Sequence, residues 1–251
     1  MKKMLIVIFV VGGIFFGLST RLSADITEPY YFRVVGHLYP KIDDYFGKSN
    51  STAFTIFTGD VVYDGCNDWP EFLTYTEGIE HYIAPGNHDK MILCPENFAN
   101  NGYPNYQSFE KGEDVFITLD GNLNHWNIRW AQQYLVEDML EMEYRNTFIF
   151  IHQVSWVADS ALSGWLPNSN DGRPTNDDWL TFETQIRPIL EQYDNVYIIA
   201  GDLGNRVGSY YNKVVNGVTY MGFGLGISVE SSYMDFYVNE DGEVFMSRKM
   251  L

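Results

Sequence analysis

The sequence predicts an α/β domain of sheets flanked by helices. Short apolar runs of strand length alternate with segments of helical periodicity along the chain. The runs at 147–151 and 195–200 are apolar almost throughout, as strands buried on both faces are. With 251 residues, 45% hydrophobic and 20% charged, the chain can bury a sizeable core, and its composition is neither disordered nor coiled-coil.

Taken in order, residues 30–36 (YYFRVVG) and 53–58 (AFTIFT) read as strands that stop at a glycine. Residues 69–80 read as a helix and 82–85 as a brief strand. Strands at 106–109 and 115–119 flank Lys111-Gly112-Glu113, a hairpin signal. Ile128, Ala131, Leu135, Met139 and Met142 recur at helical spacing and predict an amphipathic helix over 127–144. After the strand at 147–151, residues 153–176 are polar and lack periodicity. Trp179, Phe182, Ile186, Leu190 and Tyr193 restore helical spacing, with Pro188 expected to bend that helix. Strands follow at 195–200, 213–215, 218–223, 231–238 and 243–247, the last two joined by the turn Asn239-Glu240-Asp241-Gly242. No repeat, low-complexity tract or linker divides residues 25–251, which are read as a single domain.

Residues 1–24 stand apart. Lys2 and Lys3 precede an apolar run over 4–18, and a small, polar end follows with Leu22-Ser23-Ala24 as a cleavage site, the layout of a secretory signal. The run is long for a signal and short for a full span, so an uncleaved anchor is the alternative and the one membrane attachment expected. The rest of the chain is expected to be exported, periplasmic or extracellular. Without Lys2, Lys3 and Arg21 its net charge moves from −17 to −20. Such a surface repels polyanions and disfavours nucleic acid as a partner, whereas a small phosphate ester is compatible with it if bound cations dominate the local field. Cys66 and Cys94 are the only cysteines. A disulfide between them is the simplest reading in an oxidising compartment, with free thiols the alternative, and their spacing argues against a thiol-only metal site.

Chemistry concentrates where strands end. The run 53–58 leads into Gly59-Asp60, with Tyr63 three positions on, and the run 82–85 into Gly86-Asn87-His88-Asp89. The strand at 147–151 ends in His152 and that at 195–200 in Gly201-Asp202. Ligands of open α/β sheets collect outside the carboxyl ends of strands, and carboxylate, amide and imidazole groups delivered to one edge suit hard or borderline divalent cations. A lone strand-Gly-Asp says little. Gly-Asn-His-Asp between a strand-Gly-Asp and a strand-His is a specific combination.

This ordered set resembles the calcineurin-like metallophosphoesterases, and locally their purple-acid-phosphatase branch. The family motifs run strand-Asp-x-His, Gly-Asp, Gly-Asn-His-Asp/Glu, strand-His and Gly-His-x-His. The resemblance spans essentially all of 25–251, including Leu119-Asp120 and the segment 148–156 (FIFIHQVSW). It implies a two-sheet β-sandwich flanked by helices, holding one or two divalent ions (Mn, Fe, Zn, Mg or Ca) at the strand ends. By position, Asp60 would bridge two metals, with Asn87 and His152 as ligands of the second. His88 would stand beside the scissile phosphate and donate to the leaving oxygen, and Asp89 would orient His88. Tyr63 has the spacing by which purple acid phosphatases supply a tyrosinate to the first metal.

Two motifs depart from the family. The first strand ends Gly36-His37-Leu38-Tyr39, with His37 where Asp is expected and Tyr39 where His is expected. The last motif reads Gly201-Asp202-Leu203-Gly204, with Asp202 in place of the first His and nothing at the second. All five histidines (37, 81, 88, 125 and 152) precede residue 153, so no later histidine restores it. Asp60, Asn87, His152 and Asp202 still make a four-ligand second site, while the first keeps His37, Asp60 and Tyr63. The exchange of imidazole and carboxylate between His37 and Asp202 predicts that both lie in one site. More oxygen at the second position favours Mn²⁺, Mg²⁺ or Ca²⁺ over Zn²⁺.

The activity implied is hydrolysis of a small phosphate mono- or diester by metal-bound hydroxide, assisted by His88. Lys90, Arg173 and Arg206 are the cations nearest the motifs and are candidate phosphate contacts. Trp156 and Trp165 either line a cleft or anchor the loop after His152, and His81 and His125 lie outside the motifs. The alternative is a catalytically degenerate member of the fold that binds a ligand or partner through the same cleft. A carbohydrate-binding β-rich module is the reading from another class, and the ordered motifs argue against it.

Overall fold

The structure, a computed structural model, describes residues 28–48, 54–91, 93–122, 128, 130–156, 185–203, 210–226 and 231–251. The signal-like segment 1–24, His125, Trp165, Arg173, Gly204 and Arg206 lie outside these residues. The strands form two mixed sheets. In the first, β1 (Tyr30–Val35), β2 (Phe54–Phe57) and β3 (His81–Ile83) run parallel. The second contains β4 (Gln107–Lys111), β5 (Asp114–Thr118), β6 (Thr147–Ile151), β7 (Val196–Ala200), β8 (Tyr210–Val215) and β9 (Val218–Phe223), in the order β4-β5-β6-β7-β9-β8. Its four central strands are parallel and its two edges antiparallel. β10 (Ser232–Val238) and β11 (Val244–Met250) extend the first sheet beyond β1 as an antiparallel pair.

Period-two alternation along the strands sets the layers. Phe32, Phe54, Phe116, Phe148, Phe150 and Phe223 meet between the two sheets. Phe32 stands edge-on to Phe116 and Phe148, with ring centroids 5.1 Å away in both cases. The opposite phase faces helices. Val35 and Phe57 pack against Tyr45 of α1 (Ile42–Lys48) and Phe72 of α2 (Trp69–Thr76), together with Phe98 of α3 (Asn97–Asn100). Val115, Ile117 and Ile149 pack against Val136 and Leu140 of α4 (Trp130–Glu141) and Leu190 of α5 (Arg187–Leu190). Each such burial stabilises the fold by roughly 1.5–3 kcal/mol. The result is a two-sheet sandwich flanked by helices, as the sequence predicts.

One expectation about a helix is corrected. α2 ends at Thr76 rather than at 80, because Gly78 adopts a φ of +75°, the left-handed conformation that stops a helix. Pro188 lies in the first turn of α5, where its missing N–H costs nothing, and the earlier part of the expected helix, with Trp179 and Phe182, lies outside the described residues. Cys66 and Cys94 are bridged, with Cα atoms 5.4 Å apart, tying the segment after β2 to the segment after β3. At the amino ends of β1 and β5, remote from these segments, the buried Asp114 carboxylate accepts from the Tyr30 hydroxyl at 2.6 Å and from Arg145 at 2.7 and 3.1 Å.

Candidate metal centre

The parallel strands of both sheets deliver their carboxyl ends to one rim, and glycines let those ends meet. A Cβ on Gly201, after β7, would lie 2.1 Å from the Thr58 carbonyl oxygen after β2. One on Gly86, after β3, would lie 2.2 Å from Asp60 Oδ1, and one on Gly59 would lie 2.5 Å from His152 Nδ1. His37 and Asp60 both take a φ of +53°, a left-handed conformation costly for residues with a side chain. The Asp60 turn is held from outside. The Asp89 carboxylate accepts the amides of Asp60 (2.8 Å), Val61 (2.9 Å), Val62 (3.2 Å) and Gly86 (2.8 Å).

Asp60 Oδ2 lies at the middle of the rim. His152 Nε2 is 3.3 Å from it and His37 Nε2 is 3.6 Å. Asp202 Oδ1 is 3.8 Å from His152 Nε2, and His37, Asp60 and Asp202 each offer a ligand atom within 4.8 Å of the others. All four side chains are buried. The structure thus brings His37 and Asp202 together beside Asp60. His37 Nδ1 faces the Leu225 carbonyl at 2.8 Å and His152 Nδ1 the Thr58 carbonyl at 2.9 Å. An Nδ1–H donated to a carbonyl leaves the Nε2 lone pair facing inward, the tautomer a metal ligand requires.

Three of these groups lack hydrogen-bond partners. Asp60 Oδ2, Asn87 Oδ1 and His152 Nε2 are buried side-chain atoms with no hydrogen bond. Buried polar atoms ordinarily find partners, and leaving one without costs about 1–3 kcal/mol. A carboxylate oxygen and an imidazole nitrogen left 3.3 Å apart in this way, with an amide oxygen on the neighbouring motif, fit a divalent cation. The electrostatics agree. Burial alone would lower the basicity of His152, but Asp60 and Asp202 outweigh it and push its pKa up to about 10. Burial works to raise Asp60, and His152, followed by His37 and His88, holds it down at about 2. Burial lowers His37, with Asp60 opposing. The Asp60 and Asp202 carboxylates thus favour positive charge at His152 between them, a demand that a bound cation would meet.

His88 stands at the edge of this cluster. Its amide donates to Asp60 Oδ1 at 3.0 Å, and its Nδ1 meets the Tyr63 carbonyl at 2.7 Å. The orienting partner of His88 is therefore a backbone carbonyl and not Asp89, whose oxygens are taken by the four amides. The Tyr63 side chain is 63% exposed and stacks on the His88 ring, centroids 5.3 Å apart. The Tyr39 ring packs against His37 and His88 at 4.9 Å each and against Tyr63 at 5.2 Å. Burial, then Asp60, Tyr63 and Asp202, push the Tyr39 phenol up to about 12, so it stays neutral.

Other expectations change. Lys90 pairs with Asp120 at 2.5 Å, and Asp120 also accepts from Asn122, so this cation is engaged beside the rim rather than held out to a phosphate. Trp156 is buried against Tyr220 and anchors the segment after His152 instead of lining a cleft. His81 bonds the Ile79 carbonyl and the Tyr103 hydroxyl, a structural role. The carbonyls of Thr58 and Leu225 were not foreseeable as histidine partners from residue types. The only sequence signal was that each follows or ends a buried strand beside a glycine.

No curated protein matches the chain in sequence. Solved structures resemble it at low identity. A predicted phosphoesterase from Streptococcus pneumoniae TIGR4 is 13% identical with a TM-score of 0.35, the match covering 89% of this chain and 98% of that one. Vacuolar protein sorting 29 from Cryptosporidium parvum is 14% identical with a TM-score of 0.41, covering 89% and 100%. A putative 5'-nucleotidase from Staphylococcus aureus, in complex with alpha-ketoglutarate, is 11% identical with a TM-score of 0.48, covering 89% and 54%. At these identities and scores none of them bears on function. The family model for calcineurin-like phosphoesterases matches residues 25–206, most of the chain. By that match, this chain belongs to the calcineurin-like phosphoesterase family.

Proposed function

We propose that the chain is an exported, metal-dependent phosphoesterase acting on a small phosphate mono- or diester. The observation that carries this reading is the cluster of His37, Asp60, His152 and Asp202 at the strand ends, with Asp60 Oδ2 and His152 Nε2 buried and unpartnered. Asp60, Asn87, His152 and Asp202 would hold the ion. When bound, a divalent ion supplies Lewis-acid activation of water and neutralises phosphoryl oxygens. The chain's own contribution is positioning and proton transfer. His88, fixed through Nδ1 by the Tyr63 carbonyl, keeps Nε2 free of that bond to donate to a departing alkoxide. Asp89 holds the turn that presents Asp60.

Export is supported by the signal-like pattern at 1–24 and by the Cys66–Cys94 bridge, which suits an oxidising compartment. The spacing of Asp60 and Tyr63 keeps the kinship with purple acid phosphatases a proposal, and the exposed Tyr63 ring on His88 gives it no added support. A second reading is favoured by Tyr39, whose ring fills the side of the rim where the family carries a ligand: a degenerate member that holds a metal and binds a ligand or partner without turnover.

One experiment separates the two. Hydrolysis of bis(p-nitrophenyl) phosphate and of p-nitrophenyl phosphate is measured with the chelator-stripped chain before and after Mn²⁺. Metal-restored turnover that Asp60→Asn abolishes supports the enzyme. Metal uptake with no turnover on either ester supports the degenerate reading.

A further inference from the structure

The spacing of the donors at the rim bears on how many ions the chain holds. Ligands about 2.1 Å from one ion stand ~3.0 Å apart when cis in an octahedron and ~3.4 Å apart in a tetrahedron. Around Asp60 Oδ2 the imidazole nitrogens stand at 3.3 and 3.6 Å, and Asp202 Oδ1 is 3.8 Å from His152 Nε2. Each imidazole thus stands at the spacing of a co-ligand of Asp60. Two ions of one centre lie about 3.5–4 Å apart, a separation close to that between ligands of one ion, so ligand number and charge must decide between one and two. His37 and Asp202 are the pair the family pattern would assign to different ions, yet their ligand atoms fall within 4.8 Å of each other and of Asp60.

Charge and ligand number point the same way. Asp60 and Asp202 carry two negative charges, and both imidazoles commit Nδ1 as a donor, so one divalent ion neutralises the buried set. The Asp89 carboxylate is turned onto four amides and adds nothing to it. A second dication would find no further carboxylate of this set to compensate it in a buried site. Among the described residues its place would keep only His37 beside the shared Asp60, and the Tyr39 ring stands 4.9 Å from His37 where the family supplies an imidazole.

We propose that this chain holds one divalent ion rather than two, with His37 drawn in as a ligand beside Asp60, His152 and Asp202, and with Tyr39 closing the second position. The inference rests on reading the rim as a metal site. The chelator-stripped full chain is titrated with Mn²⁺ by calorimetry, and the loaded protein is examined by electron paramagnetic resonance. One Mn²⁺ per chain with the sextet of an isolated ion is expected. His37→Ala, its fold checked by circular dichroism, is expected to weaken Mn²⁺ at least ~10-fold.

Two ions per chain, or the multiline signal of a coupled pair, overturns the proposal and leaves the metal reading standing. No uptake at all overturns both. One ion bound with unchanged affinity in folded His37→Ala, or in His37→Gln should the alanine variant not fold, overturns the assignment of His37. Stoichiometry and spectrum are read on the unmodified chain, so they decide the number of ions whatever the variants do.

Discussion

Asp89→Asn distinguishes a residue that builds the site from one that acts in the chemistry. The Asp89 carboxylate is buried and accepts four backbone amides, two on each oxygen, at 2.8–3.2 Å. Asn can offer its one oxygen to a single pair of those amides, as neutral bonds contributing about 1 kcal/mol each. Its NH₂ then opposes the other pair, leaving two buried donors without acceptors at about 1–3 kcal/mol each. Adding the lost strength of charge-assisted bonds, the variant should be destabilised by about 4 kcal/mol. With a urea m-value near ~3 kcal/mol/M for a chain of this size, the unfolding midpoint should fall by more than ~1 M. The assay is equilibrium unfolding in urea by fluorescence, repeated in sucrose if the variant is partly unfolded without denaturant. Mn²⁺ affinity should fall with stability, because the same four amides shape the turn that carries Asp60. A midpoint shift below ~0.2 M accompanied by loss of turnover would refute this account and return Asp89 to a role in orienting His88.

Three further outcomes are expected. His88→Ala should lower kcat by about 10²-fold or more on alkyl phosphoesters and much less on p-nitrophenyl esters, whose leaving group needs little protonation; equal losses on both would assign His88 to folding or ground-state binding. His37→Asp combined with Asp202→His should retain more Mn²⁺ affinity than either single change, since donors around one ion are coupled; simple additivity in a calorimetric double-mutant cycle would show two independent residues. Joint replacement of Cys66 and Cys94 by Ser should destabilise the chain by about 3.5 kcal/mol from loop entropy over a separation of 28 residues, read as a urea midpoint shift, and an unchanged midpoint would show that the bridge constrains nothing the rest of the fold does not.

The strands and the rim were legible because their signals are local. Apolar runs stopped by glycine located β1, β2 and β7, and Gly-Asn-His-Asp announced a turn that only glycine-level packing permits. Asp89 was legible as a member of that motif but not in its role. Its partners are backbone amides 27–29 positions away as well as that of Gly86, and an amide carries no side-chain identity for a pattern to display. Lys90 stands next to the motif, and nothing local shows that Asp120, 30 residues on, would take its charge. Tyr39 was visible as a departure, while its packing on His37 and His88 depends on a turn at φ +53° that sequence does not specify.

What the frame requires and what the donors require are separate matters, and this bears on the exchange between His37 and Asp202. The frame consists of parallel strand ends, close-packed glycines, the Asp89 clamp and the carbonyls of Thr58 and Leu225 that fix the two histidines. The Leu225 carbonyl favours an imidazole at the end of β1, and nothing else in the frame asks for a particular donor there or at the end of β7. The donors answer to charge instead. A carboxylate lost at β1 without one gained at β7 would leave a dication facing one buried negative charge, and the reverse would leave a carboxylate unpaired, each costing several kcal/mol. Imidazole at 37 with carboxylate at 202 keeps two negative charges and two imidazoles around Asp60 Oδ2. On the one-ion reading, each change is therefore tolerable in the presence of the other, and His37 and Asp202 are one compensated alteration rather than two separate losses.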